Sequence, residues 1–415
     1  MPQRDGMTIS SLLLLMLFLG MVSFCGCAEA PPRPAEGAGR KVLAPPSPAE
    51  AAGTARGAAA PGPPRIAGTR FVRVLLAEGA GPIVLRAEEM RAWGPDGRLV
   101  AEIPGTLTLS AVGGRIRFDG TRLLRDTLDV AGVPELRLSG GRVGGRLRIV
   151  ARRGRLLAVA VVPLETYVAA VVSREMPPRF HPEALAAQAV AVRTYALGAM
   201  RNPRDTDYDV AGSVEDQVFE GTDNVAPVFL RAAEETRGLV VRYRGELART
   251  VYHSTCGGRT ESAADAWGKD VPYLRSKDCG ACGDSPFSRW EYRMSAAEGR
   301  RLGRLLGIPP GKDLRFSVEG RTPTGRAKRV RIASGGVSRE MPAPEFRKAA
   351  GYARVRSLKF GIVPAAGGWL VSGEGYGHGV GMCQFGANGL AKSGRSFREI
   401  LAYYYPGTTV EGESP

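Results

Sequence analysis

The sequence predicts an α+β fold with a β-rich N-terminal half and a mixed helix-and-strand core. Three observations lead there. Between residues 69 and 162, short apolar runs are separated by Gly-Gly, Pro-Asp-Gly and Gly-Arg turns, the punctuation of strands. At Leu164 the apolar spacing lengthens to that of a helix. Beyond it, helices and strands follow in mixed order, without the regular alternation of a parallel α/β sheet. Among 415 residues, 55 Gly and 30 Pro favour turns and short strands over long helices.

The first 27 residues read as an export signal. Arg4 stands in a polar start, residues 12–22 are an almost unbroken apolar run, and Cys25-Gly26-Cys27 precedes Ala28-Glu29-Ala30. The run is shorter than the ~20 residues of a stable span. Cys27 after Gly26 is a candidate for lipid attachment, although Phe24 fits a lipoprotein signal less well than the usual Leu. An uncleaved anchor and a plainly secreted form are the alternatives. No second apolar stretch is long enough to cross a bilayer, so the remainder is expected outside the cytoplasm, membrane-anchored or secreted. Residues 28–66, dominated by Ala, Pro and Gly, read as a tether that buries no core. The folded domain is expected over 67–411, with 67–150 its β-rich part and 151–411 the core that carries the motifs.

Strands are expected at 71–76, 82–86, 98–103, 106–110, 115–118, 135–138, 146–151 and 156–162. A helix is expected over 164–174, with Leu164, Tyr167, Val168 and Val171 on one stripe, ended by Pro177-Pro178. A second begins at Pro182, a residue suited to a first helical position, and runs Ala-rich to about Met200. Further helices are expected over 295–306, 344–350 and 396–405, with a hairpin of 314–318 and 328–332 around Pro323-Thr324-Gly325.

A formal charge of +16 draws the chain to polyanions, whether nucleic acid, anionic lipid or an anionic wall polymer; codon bias is the bland explanation. No recognition-helix, zinc-finger or aromatic–basic pattern points to nucleic acid, and none is expected as a partner.

Only three histidines are present, His181, His253 and His378, too few for most catalytic zinc hydrolases. Glu175 is the candidate catalytic acid. A carboxyl at a helix C-terminus beside Met176, Pro177 and Pro178 has its charged form disfavoured by the dipole and by apolar company. That suits a general acid for glycosidic cleavage; the bland alternative is a surface glutamate. The same Ser-Arg-Glu-Met-Pro recurs at 338–342 and makes Glu340 a second candidate. His253, Cys256 and the Cys279-x-x-Cys282 pair offer four ligands for a structural zinc. Disulfides or a redox pair are the competing readings. The glycines around His378 have the texture of a groove floor or of a tight structural crossing, and Cys383 among them reads as a buried thiol.

These blocks resemble the stage II sporulation protein D family, the SpoIID/LytB domain proteins. The resemblance rests on VPLETYVAAVVSREMP at 162–177, PEALAAQAVAVRTYAL at 182–197, DQVFEG at 216–221, HSTCGGRTES at 253–262, WGKDVPYL at 267–274, GYGHGVGMCQFGA at 375–387 and YYPGT at 404–408. It spans roughly residues 68–411 and is weaker before 150. It implies a SpoIID-like fold and a lytic transglycosylase that cuts peptidoglycan glycan between N-acetylmuramic acid and N-acetylglucosamine, leaving anhydro-muramoyl ends. Some members instead enhance a partner amidase, so a non-catalytic peptidoglycan-binding activator is the alternative; the sporulation role belongs to some members only. The family's catalytic glutamate falls on Glu175, and Glu340 falls where the family has no catalytic role. Zinc in some members supports His253, Cys256, Cys279 and Cys282 as ligands, a structural metal that catalysis does not need. Gln188, Arg193, Tyr195, Ser254, His378 and Gln384 are expected groove contacts by motif position and side-chain chemistry.

Overall fold

The computed structural model describes residues 69–118, 122–311 and 313–413. The expected export signal (1–27) and tether (28–66), with Cys25 and Cys27, lie outside the described residues.

The architecture is α+β. Phe71–Gly79 pairs antiparallel with Arg155–Pro163, from Phe71 opposite Pro163 to Gly79 opposite Leu156. Arg146–Arg152 lines the far side of Arg155–Pro163. The sheet continues through Thr127–Val133, Ile83–Trp93, Leu99–Val112 and Arg115–Phe118, and Val210–Ala211 joins its other edge parallel to Phe71–Gly79. It has eleven strands among the described residues.

Two runs expected as separate strands, 98–103 and 106–110, are one strand, Leu99–Val112. Pro104 does not end it, because it sits at a bulge where the pairing steps from Ala87–Gly105 to Glu89–Pro104, a place that tolerates a missing N–H. Thr127–Val133 was not expected, since Asp129 interrupts its apolar pattern. That carboxylate is buried but held by both arms of the Arg148 guanidinium, each at 2.9 Å.

Helix α1 (Leu164–Glu175) buries Leu164 and every residue from Tyr167 to Val172, as a helix apolar nearly all round must. Each buried Val or Leu contributes about 1.5–3 kcal/mol. Helix α2 (Pro182–Arg201) has Pro at its start, and His181 caps it by accepting from the Glu183 N–H at 3.3 Å. Its alanines allow α1, α3 (Pro227–Glu235) and Leu239–Tyr243 to approach closely. Two later helices were expected and start one residue later than expected, because a serine caps each: α5 (Ala296–Leu305) under Ser295 and α8 (Phe397–Tyr404) under Ser396, each with a reciprocal glutamate three residues on. Helices α4 (Ala263–Trp267) and α7 (Gln384–Lys392) were not expected; α6 (Ala343–Ala350) was.

A second cluster of buried side chains, from Trp290 to Val371, forms a lobe of its own. It holds the expected hairpin, Arg315–Arg321 with Ala327–Ser334, extended by Val337–Pro342. Glu340 lies on that last strand, paired with Arg329 at 2.7 Å and Arg331 at 2.8 Å. Ser-Arg-Glu-Met-Pro is therefore a helix end at Glu175 and a strand at Glu340. Beyond the lobe the chain returns through residues 374–383 to the main core.

Candidate functional site

Glu175 is the last residue of α1; the chain turns extended at Met176 because Pro177 cannot continue a helix. Its carboxyl Oε2 accepts a hydrogen bond from Gln384 Nε2 at 3.1 Å. Burial is the largest influence on it and raises its pKa; Gln384 and a hydrogen bond with the Val218 backbone pull part of the way back. No second carboxylate, among the described residues, figures among these influences.

Beside it runs a chain of neutral groups. Tyr167 donates to Gln217 Oε1 at 2.9 Å, and Gln217 Nε2 donates to the Tyr252 hydroxyl at 3.0 Å. Burial raises both tyrosine pKa values, and the nearby charge of Glu175 adds to each. Because the Tyr252 oxygen is an acceptor in this chain, its own proton is left to donate. Gln217 and Tyr252 were missed as site residues. Gln217 lies in DQVFEG, quoted above without a role, and Tyr252 stands immediately before the HSTCGG segment, outside the quoted motifs.

The expected groove residues differ in what they touch, and Gln384 is itself buried. Gln384 touches the Glu175 carboxyl. Half-buried Tyr195 donates to Asp216 at 2.8 Å. Ser254 is half-buried, and its backbone carbonyl accepts from the Phe385 N–H at 3.1 Å. Two others are corrected. Arg193 is fully buried, forked on Glu165 at 2.9 and 2.5 Å and bonded to the carbonyls of Ala233 and Leu239. Gln188 is likewise fully buried, and its amide has no hydrogen-bond partner among the described residues. Both lie on α2 where other elements enclose it, so neither reaches a groove.

His378 accepts from the Val380 N–H through Nδ1 at 3.1 Å, and its ring also hydrogen-bonds the Tyr252 backbone. Burial pushes its pKa down to about 4. Its nitrogens are thus engaged within the fold, and what remains for a ligand is the ring. That ring lies 5.5 Å from the indole of Trp267, which is 41% exposed and has the Arg249 guanidinium 5.0 Å from its centre. Trp267 was also missed, although its WGKDVPYL segment was legible. An exposed indole beside a second ring is a flat apolar face of the kind sugar rings stack on.

The glycines around His378 form a tight crossing. A Cβ on Gly377 would lie 2.7 Å from that of His253, and one on Gly379 would lie 2.4 Å from the Arg326 guanidinium. Tyr252 and His253 pair in parallel with Met382 and Cys383. This crossing brings the Sγ atoms of Cys256, Cys279, Cys282 and Cys383 within 4.8 Å of one another, all buried. The expected ligand set is corrected at one member. His253 stands outside the cluster: its Nδ1 lies 3.0 Å from the Val380 carbonyl, and its Nε2 has no partner among the described residues. Cys383, read from sequence as a buried thiol, is the fourth sulfur of the cluster.

The match of the SpoIID family model, described as stage II sporulation protein, covers residues 152–243, a stretch that includes Glu175 and all of α2. The chain is 30% identical to stage II sporulation protein D of Bacillus subtilis over 61% of this chain and 76% of that protein. It is 30% identical to an uncharacterised protein of Brachyspira hyodysenteriae over 66% of this chain and 73% of that one. It is 29% identical to the amidase enhancer of Bacillus subtilis over 58% of this chain but only 39% of that protein. With the helix-end glutamate, the glycine crossing and these relatives together, the chain belongs to the stage II sporulation protein D (SpoIID) family.

Proposed function

We propose that this protein acts on the bacterial cell wall as a lytic transglycosylase, cutting peptidoglycan glycan between N-acetylmuramic acid and N-acetylglucosamine. The observation that carries the reading is the Glu175 carboxyl, raised in pKa by burial and held by Gln384. Protonated, it gives its proton to the glycosidic oxygen as the C–O bond breaks. The carboxylate formed then takes the proton of the muramoyl 6-hydroxyl, whose oxygen bonds to the anomeric carbon. The product is an anhydro-muramoyl end, no water is consumed, and the acid is restored. Ordinary glycosidases need a second carboxyl about 5–9.5 Å away; in this mechanism Glu175 takes both roles. Gln384 fits both states, because its amide donates to the carboxylate and, turned over, accepts from the acid.

Trp267 and His378 are proposed as a stacking platform for a sugar ring of the glycan. Trp267→Ala is expected to raise KM about tenfold, ~1.4 kcal/mol of binding, with a smaller change in kcat. An unchanged KM on purified glycan strands would remove the platform from the site.

The second reading, a glycan-binding activator of a cell-wall amidase, is favoured by the likeness to the amidase enhancer. Mass analysis of products from peptide-free glycan separates the two. Anhydro ends support the lyase, reducing ends mean hydrolysis, and glycan bound with nothing released supports the activator. In either case residues 1–27 would direct export and 28–66 would tether the domain at the membrane. The mass of the N-terminal fragment reads whether Cys27 carries lipid.

A further inference from the structure

We propose that Cys256, Cys279, Cys282 and Cys383 bind one zinc ion as a four-thiolate site, and that this metal fixes Gln384 against Glu175. The geometry is that of a mononuclear centre. With Zn–S bonds of about 2.3 Å, a tetrahedron has sulfur–sulfur edges of about 3.8 Å. Here Cys256 and Cys282 stand 3.5 Å apart, and all four sulfurs lie within 4.8 Å of one another. A cluster of several irons sets its cysteines wider. Four protein ligands leave no open position, so the metal is structural.

The surroundings suit thiolates. Binding releases four protons, since Zn²⁺ and four thiols give a Zn(SR)₄ centre of charge −2, and such a centre needs donors around its sulfurs. Cys383 Sγ accepts from the N–H groups of Cys256 at 3.3 Å and Gly386 at 3.4 Å. The Tyr404 hydroxyl lies 3.2 Å from Cys279 Sγ. The buried Arg326 guanidinium is close enough to feel the charges of Cys256 and Cys383. The fold also makes room: a Cβ on Gly386 would sit 2.1 Å from the Tyr404 oxygen and 2.4 Å from Cys279 Sγ, and one on Gly389 would sit 2.1 Å from the Ala281 carbonyl. Helix α7 is thus pressed onto the Cys279–Cys282 loop.

Cys383 caps α7, and Gln384 is its first residue, 3.1 Å from the Glu175 carboxyl. One ligand therefore places the metal next in sequence to the glutamine of the site. The significance of Gln384 rests on the lyase reading; the metal and its ligands are measured on the protein alone, so the two fail separately.

The test uses the full chain. Metal analysis should give one zinc per chain, and a mercurial titration should release it in step with four thiols, counted beyond those of Cys25 and Cys27 where these are retained and free. Cobalt substitution should give the visible spectrum of a four-sulfur tetrahedral site. Cys383→Ser should weaken zinc binding about a hundredfold or more, beyond the 10–100-fold of an outer-shell change, whereas His253→Ala should keep the zinc. Two disulfides in the purified chain, fewer than four thiols per zinc, or metal lost with His253→Ala and kept with Cys383→Ser would overturn the proposal. The titration and the cobalt spectrum are made on the parent chain, so they decide the matter even if Cys383→Ser does not fold.

Discussion

Glu175→Gln is expected to lower glycan release by at least about 10²–10⁴-fold, the usual contribution of a positioned general acid, with the fold intact. Glutamine keeps the shape of the side chain and a partner for Gln384, but it has no proton to give to a leaving oxygen. The pH dependence follows from the raised pKa of this carboxyl. Glycan release by the parent protein should persist above the ordinary glutamate range and fall as the pH rises through the Glu175 value. Stability carries the mark of the same group, in the same direction. Its folded pKa lies above its unfolded one, so its stabilising contribution is complete below the unfolded value and is lost as pH rises through the folded value. The melting temperature of Glu175→Gln should therefore gain on that of the parent from acid to neutral pH. Parent-like glycan release by the variant would remove Glu175 from the chemistry.

Arg193→Met should destabilise the protein by about 3–5 kcal/mol, the range for removing one partner of a buried pair. Glu165 would lose both arms of its fork, and the carbonyls of Ala233 and Leu239 would lose donors. A denaturant midpoint measures the loss. The double variant Arg193→Met/Glu165→Leu should recover much of it, since an apolar pair of similar size often replaces a buried ion pair at little cost. Arg193→Lys should recover less, because lysine lacks the planar fork. Normal stability with a raised KM would instead return Arg193 to the substrate.

These two residues mark what the sequence made legible and what it did not. Glu175 at a helix end was readable because Pro177 must stop α1 and because residues 164–172 have a helical period. The helix start at Pro182 was readable for the same kind of local reason, while the serine caps at Ser295 and Ser396 emerged from the structure. Arg193 was not, since a charged residue in a motif says nothing of a partner 28 positions away. Ser-Arg-Glu-Met-Pro shows the limit most directly, as one pentapeptide ends a helix at Glu175 and pairs in a strand at Glu340. The place of Cys383 beside Cys256 was equally hidden. It depends on the parallel pairing of two-residue strands 130 positions apart, Tyr252–His253 with Met382–Cys383, too short to leave a periodic signal. Helix α7 was missed because its early glycines, which let it lie against Tyr404 and Ala281, lower helix propensity.

The lobe core from Trp290 to Val371 invites trimming by anyone wanting a smaller protein. Its hairpin, however, supplies Arg326, whose Nη1 lies 3.8 Å from the fully buried Glu261, and Thr322 and Thr324, which donate to the same carboxylate at 2.6 and 2.5 Å. Excising the lobe while leaving Glu261 would strand an anion inside protein, an error worth several kcal/mol. A shortened chain should fold only when that position is made apolar as well, so the cut and the substitution have to be engineered as a single change.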